Sequence, residues 1–257
     1  MIRAAPPRPS RVPPFQDSRR RITDGRRKRI LVIRGVEGRI EFRLGLGLKV
    51  DMEKPLSPTL IRKAIRHLKS SDSVLAALIE EHGTCTLTPV LDNPFHALVS
   101  SIISQQISAS AARAIKGRMF DLLGGNHFTP EGILKMSPKN YKTAGLSRSK
   151  RDYIRKLALA VRNGELEFSS FGGCDEEEVI SKLVTLSGVG RWTAEMFLIF
   201  GLGKPDVLSV NDAGLKRAIK LAYSLQQIPS ADEMILIGEP WRPYRSVACW
   251  YLWRVVD

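Results

Sequence analysis

The spacing of apolar positions changes character once along this chain. Over residues 30–50 it alternates, with Ile40, Phe42, Leu44, Leu46, Leu48 and Val50 falling on one side. With Gly35 and Gly38 close by, that period of two predicts a hairpin. A lone hairpin is marginal in water, so a loosely ordered stretch fits the same residues. From Ser57 onward the period becomes helical and stays so. Ser57-Pro58 is a cap followed by proline at the first helical position, and the helix it opens extends to about Ser70. Asp72 caps a second helix, stopped by Gly83. Asn93-Pro94 opens a third, to about Gln105, and Ser108 a fourth, to Leu123, ended by Gly124-Gly125. Ser137-Pro138 starts a short helix ending near Gly145. Ser147 caps a long basic helix to Asn163-Gly164, and Asp175 precedes one that runs into Leu186. Further helices are expected at about 191–201, 212–223, 230–238 and 243–254. No long repeat is visible. The expected architecture is an all-α body over residues 51–257, preceded by a separate segment of residues 1–50.

Charge adds a partner class to this picture. The 257 residues suffice for one large domain or two lobes with an ample core, and they carry a formal net charge of +14. Such an excess favours a polyanion. Part of it is local: Arg19-Arg20-Arg21 and Arg26-Arg27-Lys28-Arg29 are opposed only by Asp17 and Asp24, among Pro6, Pro7, Pro9, Pro13 and Pro14. A segment of that composition buries too little apolar surface to fold alone, which predicts a disordered leader. A nuclear-localisation or DNA-tethering tail fits the same residues, as does an Arg-rich organelle presequence. No apolar run approaches the ~18–20 residues of a membrane span, so no membrane association is expected. Cys85, Cys174 and Cys249 lie far apart with no Cys-x-x-Cys pair, which argues against zinc, an iron–sulfur cluster or a disulfide framework.

Candidate chemistry concentrates between Leu186 and Asp212. Ser187-Gly188-Val189-Gly190 puts two glycines into a tight reversal between helical patterns. The amides after that turn open the next helix and have no partner within it, so together with the helix dipole they suit an anion. Taken alone, a Gly-x-Gly of this kind is equally an ordinary helix–helix turn. Asp212 precedes a helical run and suits an N-cap. One carboxylate oxygen can cap while the other faces a cleft. There it would stabilise the oxocarbenium-like state through which a sugar–base bond breaks, and orient water.

Several separated segments then carry a resemblance. Asn93 to Ser108, Gly145 to Lys150, Leu186 to Phe197, Asn211-Asp212 and Trp241 to Trp253 occur in order. With them, residues 56–254 resemble the helix-hairpin-helix superfamily of DNA base-excision glycosylases, specifically the 3-methyladenine DNA glycosylase II family. The resemblance implies a two-lobed helical fold and a monofunctional, monomeric enzyme. Such an enzyme flips an alkylated purine out of duplex DNA, hydrolyses its N-glycosidic bond and leaves an abasic site to downstream repair enzymes. It implies Asp212 as the catalytic acid, and Gly188, Val189, Gly190 and Thr193 as hairpin residues at a DNA phosphate. Gln106 falls at the wedge position, where glutamine differs from the apolar side chains often inserted into duplexes. No cofactor is required, but the main-chain carbonyls of Val184, Leu186 and Val189 fall where the family often holds a monovalent cation, Na+ or K+. The implied location is the nucleus of a eukaryote, or the cytoplasm and nucleoid of a bacterium.

The same resemblance separates mechanisms. Trp192 stands where lyase-active members carry a Schiff-base lysine, and Lys182, Lys204 and Lys216 are displaced from that position. Trp192 would instead offer a π face to an electron-poor alkylated purine. Met196, one turn on, and Trp253 complete the implied base pocket, although all three residue types are at home in a core. Tyr244 and Arg245 would support the aspartate region. Two competing readings are a non-catalytic DNA-binding protein, opposed by Asp212, and a bifunctional glycosylase-lyase, opposed by Trp192 and the lack of a four-cysteine cluster.

Overall fold

The computed structural model describes residues 55–171 and 174–256, with the backbone of residues 33–34 and 40–41. The chain divides into two units, residues 1–48 and 49–257. The described part of the first is a two-residue antiparallel ladder that pairs Ile33 with Glu41 and Arg34 with Ile40. The rest of the alternating stretch and the basic leader lie outside the described residues.

The described residues of the second unit are helical. Its helices are α1 (Pro58–Ser71), α2 (Ser73–His82), α3 (Pro94–Ser104), α4 (Ala109–Leu123), α5 (Pro130–Lys135), α6 (Pro138–Ala144), α7 (Arg148–Arg162), α8 (Glu176–Leu183), α9 (Arg191–Phe200), α10 (Ala213–Ala222), α11 (Ala231–Gly238) and α12 (Arg245–Arg254). Side chains of Ser57, Asp72, Asn93, Ser108, Ser137, Ser147, Asp175, Asp212 and Ser230 each accept a hydrogen bond from a backbone N–H in the first turn they cap. Each such cap contributes about 1 kcal/mol to its helix. α5 lies outside the helices expected from the apolar pattern, although Thr129-Pro130 opens it as Ser57-Pro58 opens α1. α8 is shorter than expected: it stops at Leu183, where the turn toward Gly190 begins.

Packing follows from which helices are apolar all round. α9 buries seven consecutive residues, Thr193 to Ile199, and α3 buries Phe95, Leu98, Val99, Ile102 and Ile103 among others. A helix with no polar face must be enclosed. α3 and α9 pack together, α4 and α7 lie against α3, and α8 lies against α9. α4 to α7 pair among themselves, whereas α12 packs on α1, α2 and α10. Polar side chains tie distant pieces together. Asp72 caps α2 and also accepts hydrogen bonds from Tyr223 Oη (2.6 Å) and Trp241 Nε1 (2.9 Å). Glu195, buried in α9, accepts from Ser209 Oγ (2.5 Å) and Arg191 Nε (3.0 Å), and burial raises its pKa. Among the described residues, no helix is long and apolar enough to cross a membrane, and no His, Cys, Asp and Glu side chains cluster to hold a metal ion.

Candidate active site

Asp212 sits at the end of a loop that is pinned along its length. Arg245 grips the Asp206 carboxylate through Nε (2.8 Å) and Nη2 (3.0 Å), and also donates to the Asp206 carbonyl (2.7 Å). Ser246 Oγ accepts from Val207 N (3.0 Å) and donates to the Lys204 carbonyl (2.7 Å). The loop thus reaches α10 with little freedom. Asp212 is only 8% exposed, and both its oxygens are held. Oδ1 accepts from Leu215 N (2.5 Å), which caps α10, and from Trp253 Nε1 (3.2 Å). Oδ2 accepts from Trp192 Nε1 (2.5 Å). Hydrogen bonds to an ionised group contribute about 1.5–3 kcal/mol each, so this set fixes the orientation of the carboxylate. Gly214 keeps one flank clear: a Cβ there would stand 3.2 Å from Oδ1 and 3.8 Å from the Trp253 ring. Oδ1 has both lone pairs engaged, while Oδ2 keeps one for a substrate or a water.

The hairpin lies directly upstream of this aspartate's partner. Between α8 and α9, Gly188 adopts φ +81°, in the left-handed region. It is also in close contact with α7, because a Cβ there would come within 2.1 Å of the Tyr153 ring. Gly190 differs. Its φ of −93° is ordinary and a Cβ would meet nothing within 4 Å. No side chain caps α9, so the amides that open it are left without a side-chain partner, as an anion site requires. Val189 departs from the sequence reading. Its side chain is buried and its N–H is spent on the Leu186 carbonyl (3.1 Å), so it has no amide left for a phosphate. Thr193 departs too: its hydroxyl is buried and accepts from Gln105 Nε2 (2.8 Å).

Gln106 is exposed, with φ +56°, at the tip of the turn between α3 and α4, and Ile107 beside it is 37% exposed. Two residues that hold this turn were missed. Gln105 Nε2 also donates to the Gly188 carbonyl (2.8 Å), and Lys150 Nζ, from the first turn of α7, donates to the carbonyls of Ile103 (2.7 Å) and Gln105 (2.6 Å). Burial lowers the Lys150 pKa. No periodicity marks either residue, and the resemblance that singles out Gln106 and the Gly145–Lys150 segment gives neither Gln105 nor Lys150 a role.

The structure therefore links Asp212, Trp192 and Trp253 directly, and joins them to the hairpin and the Gln106 turn through α9 and Gln105. Trp192 and Trp253 are half-buried, and Trp253 stacks on Phe200 with ring centroids 5.9 Å apart. Met196 is not part of this group. It is 5% exposed within the core, which corrects its place in the expected base pocket. Tyr244 packs edge-on against His67, with ring centroids 5.5 Å apart. Of the nearby lysines, Lys182 donates to Cys174 Sγ (3.3 Å) and Lys204 to the Cys174 carbonyl (3.1 Å).

Residues 99–243 match the family described as HhH-GPD superfamily base excision DNA repair protein. The chain is 32% identical, over 76% of its length and 93% of the relative's, to the alkylbase DNA glycosidase-like protein mag2 of Schizosaccharomyces pombe. Among solved structures it is similar to the 3-methyladenine DNA glycosylase Mag1 of S. pombe in complex with abasic DNA, with a TM-score of 0.68 and 30% identity over 75% of this chain and 95% of that one. It is likewise similar to a DNA-3-methyladenine glycosidase from Bacillus halodurans, with a TM-score of 0.59 and 41% identity over 77% and 88%.

Proposed function

Because this chain belongs to the HhH-GPD superfamily of base excision DNA repair proteins, we propose that it is a monofunctional DNA-3-methyladenine glycosylase. It hydrolyses the N-glycosidic bond of alkylated purines in duplex DNA and leaves an abasic site for downstream repair enzymes. The observation that carries this reading is the carboxylate of Asp212, oriented by two indole N–H groups and a helix N-terminus with one lone pair of Oδ2 open. As the glycosidic bond lengthens, positive charge develops on the sugar, and a fixed anion in a mostly buried setting stabilises it without reorganisation. An alkylated purine is electron-poor and leaves readily, so stabilising the sugar cation and orienting water on Oδ2 suffices. The half-exposed faces of Trp192 and Trp253 receive the flipped base.

The same protein grips DNA away from the reacting bond. The uncapped first turn of α9 receives a phosphate, and Gln106 with Ile107 enters the gap left by the extruded nucleotide. The carbonyls of Val184, Leu186 and Val189 lie in one turn between α8 and α9, and neutral oxygens of this kind suit a structural Na+ or K+. The enzyme acts as a monomer.

Two expected results test parts of this account. Gly190→Ala should leave both fold and DNA affinity near wild type, since its methyl enters open space. Gly190→Glu should keep the wild-type circular dichroism spectrum yet bind DNA at least about tenfold more weakly, because its carboxylate meets the phosphate. Equal affinities would remove the phosphate from this turn. Reacted DNA should also break only after alkali, with no borohydride-trapped protein–DNA adduct. Trp192 cannot form a Schiff base, and Lys182 and Lys204 are engaged at Cys174. A trapped adduct would replace the monofunctional mechanism with a lyase.

A further inference from the structure

We propose that Gln105 is a positioning residue that presets the Gln106 turn and couples it to the phosphate-gripping hairpin, so that duplex entry and strand grip act as one unit. The proposal rests on the glycosylase reading above. Gln106 is a non-glycine residue at φ +56°, a conformation that disfavours a side-chain-bearing residue and persists only where the surroundings dictate it. The preceding residue supplies that constraint. The two N–H bonds of one Gln105 amide reach the Gly188 carbonyl and Thr193 Oγ1, both at 2.8 Å. A carbonyl only accepts, so the nitrogen of this amide must face the hairpin. From the other side, Lys150 Nζ holds the Gln105 main-chain carbonyl at 2.6 Å and the Ile103 carbonyl at 2.7 Å, a cation at the C-terminal end of α3. Gln105 is thus fastened through its main chain to α7 and through its side chain to the turn before α9. Gln106, exposed, follows this doubly fastened residue directly.

The anchor at Gly188 is itself rigid, because that residue is seated on Tyr153 of α7. α7 therefore braces both ends of the connection, through Lys150 and through Tyr153. Thr193, the second acceptor, follows Trp192, whose indole holds Asp212. A wedge placed in this way enters a duplex without an additional ordering cost, and its position is set relative to the phosphate and the carboxylate. The strut should matter most when a paired base must be displaced, and little when the base is already unpaired.

The experiment compares single-turnover and steady-state base release by the full-length protein from two DNAs. One carries 7-methylguanine paired with cytosine; the other carries the same lesion in a single-nucleotide bulge. Gln105→Met keeps the side-chain length and removes both donors. It should lower kcat/KM on the paired duplex by about 10–100-fold and on the bulge by less than about threefold, the range expected when a pre-oriented group is loosened. Thr193→Val keeps shape and removes one acceptor, and should shift the paired-to-bulged ratio in the same direction by less. It also carries the test if Gln105→Met does not fold. An unchanged ratio, whether from equal losses on both DNAs or from no loss on either, would overturn the proposal. A wild-type protein that releases base from neither DNA would overturn the glycosylase reading and this proposal with it.

Discussion

Asp212→Asn should lower the single-turnover rate of base excision by about a thousandfold or more, equivalent to roughly 4 kcal/mol of lost transition-state stabilisation. Asparagine has nearly the shape of aspartate and is as good an N-cap, so α10 should keep its first turn. What disappears is the charge. An amide that replaces Oδ2 with NH2 also places a donor against the Trp192 indole N–H, which donates to Oδ2 in the wild type at 2.5 Å. Affinity for DNA containing an abasic analogue should remain within a few-fold of wild type, since the hairpin and the Gln106 turn are untouched. Chemical quench on pre-bound alkylated duplex separates the two quantities. A variant that excises at the wild-type rate would show that Asp212 is only a cap.

The second large effect should be on stability. Gly188→Ala places a methyl 2.1 Å from Tyr153 Cγ and 2.2 Å from Cδ2, at a residue with φ +81°. The left-handed backbone costs an alanine about 1–2 kcal/mol, and forced overpacking typically adds about 1–3 kcal/mol. The sum, about 2–5 kcal/mol, should lower the melting temperature of a protein this size by about 5–20 °C. Gly190→Ala, two residues away, should melt close to wild type. Tyr153→Ala combined with Gly188→Ala should recover part of the loss, because the two residues share one contact. Wild-type melting of Gly188→Ala would mean that the hairpin is not seated on α7. The two glycines of one short motif thus answer to different forces, packing at Gly188 and open access at Gly190.

Much of the fold was legible because its helices announce their starts. A capping side chain followed by an apolar helical run located α1 to α4 and most of the later helices, and the resemblance placed the hairpin and Asp212. Where the local signal was short, the reading faltered: α5 has six residues, too few to show a period. The site was legible in residues and only partly in roles. Asp212 was readable as a cap, but two indole donors 20 and 41 residues away depend on ring orientation, which no spacing encodes. The role of Gln105 depends on a partner 83 residues away and that of Lys150 on one 45 residues away, so neither had a local mark. Val189 and Met196 show the opposite case. Both lie in the matching motif, yet the Val189 N–H is spent on the Leu186 carbonyl and the Met196 side chain is buried in the core.

Incubation with methylated duplex DNA, followed by chromatography of the released bases, shows whether this protein breaks the bond between deoxyribose and an alkylated purine. Free 3-methyladenine or 7-methylguanine should appear in the soluble fraction, in step with alkali-labile sites in otherwise unbroken strands. Tight binding to the same DNA with no free base, at saturating protein and long incubation, would leave a binding protein in place of an enzyme.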